Sequence, residues 1–237
     1  MKSFFRSVSP VAALLTIGSQ VIAQQPPAQP STVGERVTAL KDSFIASQTI
    51  LRHYEWVETT VVTSKGEEKS RQMNRCYYGA DGKVQKVPLT IPPPQKKKFG
   101  LRGKIAEKKQ EEMADYMKEA VGLVKTYMPP DPARLQAAKE AGKVSITSLP
   151  GQQGRLTFAD YLKAGDSLAL DVDLTNNRPL EARVSTYLDS PKEPVTQDVR
   201  FGKLDNNATY PASIVLEAKG KDLKVSVENS GYRPASR

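Results

Sequence analysis

From Ser167 to Arg233, apolar and polar residues alternate in five successive runs separated by turn residues. Leu168, Leu170, Val172 and Leu174 alternate with Ser167, Ala169, Asp171 and Asp173, the two-residue period of a strand that buries one side. After a turn at Asn176-Asn177, Leu180, Ala182, Val184, Thr186 and Leu188 share one face of a return strand. Val195, Val199 and Phe201 continue the pattern. Asp205-Asn206-Asn207 turns the chain into Tyr210, Ala212, Ile214, Leu216 and Ala218, and Gly220 turns it into Leu223, Val225 and Val227. Five antiparallel strands with a common apolar face predict a curled sheet that needs a cover.

Upstream the period changes. Over 33–51, Val37, Leu40, Phe44 and Leu51 recur at helical spacing, with Arg36, Lys41 and Asp42 outside the stripe. Residues 54–64, 69–78 and 83–90 read as three strands, punctuated by Lys65-Gly66 and by Gly79-Ala80-Asp81-Gly82. Their apolar residues fall on both sides: Trp56 and Val62 share one face, Val57 and Val61 the other. That suits a wall touching both a core and a cavity, or a register offset by one residue. Beyond Pro92-Pro93-Pro94 a helix is predicted over about 105–128, with Met113, Met117, Ala120, Val121, Val124 and Met128 as a narrow apolar stripe. Pro129-Pro130 breaks it. Asp131 as N-cap and Pro132 at the first helical position open a short helix, with 135–141 closed by Gly142. Strands resume at Val144-Ser145-Ile146 and at 156–161. One helix, three strands, two helices and about seven strands predict an α+β fold: a curved antiparallel sheet, or half-open barrel, covered by an N-terminal helix and two inserted helices.

The first residues add a compartment. Lys2, Arg6, an apolar run over 11–17 and Val21-Ile22-Ala23 read as a cleavable signal peptide, 1–23. The apolar run is too short to span a bilayer, and no cysteine stands at the cut to take a lipid. Residues 24–32, rich in Gln and Pro, read as a disordered tether, and 33–237 as one domain with a helical insertion at about 95–142. The expected location is the periplasm, or outside the cell where there is no outer membrane. Cys76 is the only cysteine, so packing alone must hold the fold, and it reads as a small buried hydrophobe. The formal net charge of +9 favours acidic surfaces. Export and the lack of an RNA-binding signature argue against nucleic acid as partner.

Catalytic parts are few. His53 is the only histidine and has no second ligand at metal spacing, so no metal or cofactor is expected. No nucleophile elbow, phosphate loop or dinucleotide fingerprint appears. Asp171 and Asp173 project from one side of one strand, but they read as a solvated face with Arg183 on the adjoining strand as partner. The chain is therefore not expected to be an enzyme. Between 95 and 109, Lys96, Lys97, Lys98, Arg102, Lys104, Lys108 and Lys109 face Glu107 alone. This run reads either as a solvated connection or as a contact for an anionic membrane surface, made by Lys96, Lys97, Lys98, Phe99, Arg102 and Lys104.

The element order resembles that of the bacterial lipoprotein carriers, the LolA/LolB-like fold. The segments 54–67, 77–83, 100–108 and 191–210 also resemble a group of exported bacterial proteins. The resemblance implies a half-open barrel, an apolar ligand or a lipidated protein as partner, and a strand arginine, Arg71 or Arg75, pinning the lid helices. The basic Pro-Lys insertion departs from the carrier pattern. The function expected is a soluble binding or carrier protein that shelters a lipid or other apolar group between sheet and lid, with Trp56, Tyr78, Met113, Met117, Val121 and Val124 as the lining. The alternative is a non-enzymatic envelope interaction module whose basic loop, 95–109, docks a protein or an anionic polymer.

Overall fold

The structure, a computed structural model, describes residues 32–90 and 101–235. Helix α1 (Val33–Leu51) is followed by β1 (Tyr54–Ser64), β2 (Glu67–Tyr78) and β3 (Val84–Pro88). After α2 (Leu101–Val124) and α3 (Pro132–Glu140) come seven more strands: β4 (Val144–Leu149), β5 (Gln153–Ala159), β6 (Ser167–Asp173), β7 (Arg178–Tyr187), β8 (Pro194–Lys203), β9 (Thr209–Ala218) and β10 (Leu223–Pro234). All ten strands form one antiparallel sheet in the order β3-β2-β1-β10-β9-β8-β7-β6-β5-β4. The edge strands β3 and β4 are not neighbours, so the sheet curls without closing. This is the half-open, helix-covered sheet implied by the LolA/LolB-like resemblance.

Local chemistry explains the boundaries. Thr32 and Glu35 form a capping box at the start of α1: Glu35 N donates to Thr32 Oγ1 (3.2 Å), and Thr32 N donates to Glu35 Oε2 (3.0 Å). The carboxylate of Asp131 accepts from Ala133 N at 2.8 Å to open α3. Lys65 and Gly66, at φ 53° and 77°, turn β1 into β2, the paired left-handed geometry that a two-residue hairpin demands. A β-carbon on Gly202 would stand 2.6 Å from the Tyr210 ring, so glycine there is what lets that ring lie across the β8 backbone.

The cover packs in two places. The cluster under α1 and α3 joins Leu40, Leu135 and Tyr127 to Phe158, Leu168 and Leu170 of the sheet. The cluster under α2 joins Tyr116, Ala120 and Val124 to Val195, Leu216 and Leu223. Just beyond α2, the fully buried Tyr127 donates its hydroxyl to Asp166 Oδ2 at 2.5 Å and lies 2.8 Å from Thr186 Oγ1. Asp166 also accepts from the backbone N–H of Leu162 and Lys163, so one buried carboxylate ties the α2–α3 connection to the sheet. Burial, and then the adjacent carboxylate, holds the Tyr127 phenol above its ordinary range. The first turns of α2 are exposed wherever described, from Lys104 and Ile105 to Glu112.

Four sequence expectations are corrected. A bulge between β6 and β7 sets Asp171 opposite Glu181 but Val172 opposite Pro179, so Pro179 rather than Leu180 takes the fully buried place. Asp171 is buried and is gripped by Arg155 at 2.6 Å on each oxygen, while Arg183 pairs with Asp198 at 2.5 Å. Arg71 and Arg75 lie on the convex side of β2: Arg71 forks onto Glu68, and Arg75 stands 3.7 Å from Glu55. Neither takes up the role of pinning a lid helix. The predicted helix over 105–128 runs over Leu101–Val124, with its last predicted residues in turns.

The packing predicts a contrast between centre and edge. Leu168→Ala is expected to cost about 2–5 kcal/mol, the range for a fully buried leucine truncated in a core. Ile146→Ala, on the exposed edge strand β4, is expected to change stability by less than about 0.5 kcal/mol. Denaturant titration of the two variants measures the difference.

Candidate functional site

Between the two clusters the cover does not fill the sheet. A cavity of about 780 Å³ opens there, under α1 and α2 and over β1, β2 and β8–β10. Its walls include the partly buried fringes of both cores. Phe44, Met128, Phe201 and Ile214 belong to the first, and Val62, Met117, Val121 and Val227 to the second. The register lines up the sheet side: Val62 lies opposite Val225 and Val225 opposite Leu216, while Thr60 lies opposite Val227 and Val227 opposite Ile214. Alternation within each strand then keeps these residues on the concave face.

The wall nearest the free edge is polar. Glu58 is 8% exposed, and both of its oxygens accept from Lys86 Nζ, at 2.6 and 2.7 Å. The Thr60 hydroxyl lies 3.3 Å from the nearer oxygen. Ser70 and Gln72 of β2 complete this side. On the opposite wall Gln197 interrupts the apolar residues, and its Oε1 is buried without a hydrogen-bond partner among the described residues.

One end of the barrel is plugged by aromatic rings. Trp56 stacks on Tyr232 (5.4 Å between centroids, 10° between planes) and lies 5.6 Å from Tyr78, while Tyr210 meets Tyr232 at 4.2 Å. Trp56 Nε1 donates to Asn229 Oδ1 at 3.1 Å, and the Asn229 amide donates to the Pro211 carbonyl at 2.9 Å. Plain alternation from Val227 and Asn229 puts residue 231 inward. The irregular pairing between Glu55 and Val57, with Gly231 at φ 63°, instead brings Tyr232 into the aromatic cluster.

Of the six residues nominated from sequence, Tyr78, Met117, Val121 and Val124 line the cavity. Trp56 belongs to the aromatic plug in contact with Tyr78, and Met113 packs on the core under α2. The sheet side of the lining was visible as an apolar face but was not singled out, because alternation does not say which part of a face lacks a cover. Of the nominated basic contacts, Lys96, Lys97, Lys98 and Phe99 lie outside the described residues. Arg102 and Lys104 stand at the start of α2, with Lys104 exposed. Among the described residues no group of His, Cys, Asp and Glu could hold a metal, and no helix is long and apolar enough to cross a membrane.

No family model and no curated protein matches the chain. Solved structures similar to it include a LolA superfamily protein from Nitrosomonas europaea, 9% identical, with a TM-score of 0.38 and coverage of 84% of this chain and 94% of that one. A domain designated outer-membrane lipoprotein-sorting from Vibrio parahaemolyticus is 9% identical, with a TM-score of 0.42 over 84% of this chain and 92% of its own. A DUF1329 family protein from Desulfovibrio piger is 10% identical, with a TM-score of 0.36 over 84% and 93%. At these scores the architecture is read from the strand order and helix placement of this chain itself.

Cys76 sits on β2 opposite Lys86 and Trp56 and is fully buried. Burial, reinforced by the Glu58 carboxylate, pushes its thiol up to about 11. In native protein at neutral pH it is expected to resist a thiol-reactive dye and to react fully once denatured. From the ordinary value of about 8.5 up to about 11, the unfolded chain has lost this proton while the folded chain keeps it. Stability should therefore fall as pH rises through that window, which a series of denaturant titrations at increasing alkalinity would show.

Proposed function

We propose that this protein is an exported, non-enzymatic binding or carrier protein that shelters an acyl chain or similar apolar group in the cavity between its curved sheet and its helical lid. The observation that carries this reading is the cavity itself. Its 780 Å³ falls within the size range of small-molecule sites, and valine, leucine, isoleucine, methionine and phenylalanine supply about half of its lining residues. Burial of the guest supplies the affinity, at about 25 cal/mol per Å² of apolar surface removed from water, and no covalent step is required. Methionine at 117 and 128, unbranched and adaptable, suits a lid that must repack around guests of different shape. The leader read in the sequence supports a periplasmic setting. The alternative of a docking module with a fully packed sheet face expects no such cavity.

The test is to fill the cavity from the lid side. Val121→Trp points new bulk into the space and is expected to lower uptake of a neutral apolar fluorophore such as N-phenyl-1-naphthylamine at least tenfold, with an unchanged circular dichroism spectrum. Organic extracts of the native protein, purified after expression with its own leader, should yield a stoichiometric amphiphile by mass spectrometry, and extracts of the variant should not. Equal uptake by both proteins, with clean extracts from both, would refute the carrier reading.

A further inference from the structure

The carrier reading leaves open what kind of guest the cavity selects, and the distribution of polar groups around it narrows that choice. The two sheet walls differ in chemistry. On the β1–β3 side Glu58, Thr60, Ser70, Gln72 and Lys86 outnumber the less polar Val62 and Tyr78. On the β8–β10 side stand Val199, Phe201, Ile214, Leu216, Val225 and Val227, interrupted by Gln197 and Thr209. A guest that was hydrocarbon throughout would press part of its surface against hydroxyls, an amide and an ion pair. A guest with a polar head and a single tail matches both walls at once.

The sign of the head group follows from which charges are already spent. Among the described residues Glu58 is the only acid in the lining, and Lys86 and Thr60 occupy its oxygens, so it has little left to offer a cation. Lys86, whose ammonium has three donors, has a half-exposed side chain and gives two of them to Glu58. From the lid, Lys118 and Lys125 also line the cavity. Lys118 is on α2 and Lys125 follows directly on its last residue, where its N–H still donates to the Val121 carbonyl at 3.2 Å; seven residues apart, about two helical turns, they flank Val121 along one face. Both are exposed at the rim, and neither is paired with a carboxylate among the described residues. The lining thus presents unspent cationic donors at its opening and no unspent carboxylate.

Resting on the carrier reading, we infer that the guest is a single-chain anionic amphiphile, held tail-inward against β8–β10 with its acid group at Lys118, Lys125 and the free donor of Lys86. The apolar wall sets affinity by tail length, at about fourfold per methylene group buried. The lysines set selectivity by head group. Because they sit at the rim, their contribution is sensitive to salt.

Calorimetric titration of the delipidated protein with dodecanoate, 1-dodecanol and dodecyltrimethylammonium, each below its aggregation threshold, separates the terms. Dodecanoate is expected to bind about tenfold more tightly than the alcohol, as a few partly exposed charged contacts supply, and the cation most weakly. In Lys118→Gln/Lys125→Gln, whose sites are exposed and place no strain on folding, dodecanoate should fall toward the alcohol while the alcohol is unchanged. Added salt should narrow the same gap in the native protein. Since removing Lys86 alone would strand a buried carboxylate, its share is read from the paired Glu58→Gln/Lys86→Gln, which should weaken dodecanoate selectively. If alcohol and acid bind equally, or if the lysine variant weakens both alike, the head-group assignment falls while the carrier reading stands. If none of the three binds, both fall.

Discussion

A sheet of ten strands with one apolar face offers more surface than three helices can cover, and that mismatch governs the molecule. Helices α1 and α3 and the connection through Tyr127 fill the concave side over β5–β7, where Phe158, Leu168, Leu170 and Val184 are fully buried. Between the cluster there and the one under α2 the cover is incomplete, and Val62, Ile214 and Val227 are only partly buried. Incomplete coverage is costly in a core, because exposed apolar area forfeits its transfer free energy. A site that keeps such area ready for a guest gains it back on binding.

The pairing of β1 with β10 places that open half where it is. Chain order alone would leave the N-terminal hairpin beyond the meander. Antiparallel pairing of Thr60 with Val227 and of Val62 with Val225 instead joins the two pieces into one surface and carries Glu58 to the cavity. Lys86 arrives on β3, two strands further out, to neutralise it. The lid is anchored at the opposite corner, where Asp166 collects the Tyr127 hydroxyl and two backbone amides. A buried carboxylate that is this fully satisfied fixes the end of α2 far better than apolar contact alone, because any rotation would leave it without partners.

Much of this was legible before any coordinates. The alternation of Leu168, Leu170 and Val172 identified a one-sided strand, the helical spacing over 33–51 gave α1 its observed limits, and the methionine-valine stripe over 113–124 identified the lid. Most of what escaped notice shares a physical cause: it depends on register. The β6–β7 bulge exchanges Pro179 for Leu180, the irregularity near Gly231 turns Tyr232 inward, and Arg155 rather than Arg183 ends up across from Asp171. Tyr116 escaped for a different reason, because its ring is buried on the α2 stripe but its polar hydroxyl hid it from a hydrophobic count. The polar edge of the cavity was equally hidden, since Glu58 and Lys86 stand 28 residues apart and only strand pairing brings them together.

The lone sulfur has a wider meaning. A chain with one cysteine can make no internal cross-link, and Cys76 is walled off behind β1 and β3 with its thiol held in the protonated form. No oxidant is needed to complete the fold and no reductant can undo it. The molecule is thus indifferent to the redox poise of its surroundings, and the same native state is accessible on either side of a membrane that separates a reducing compartment from an oxidising one.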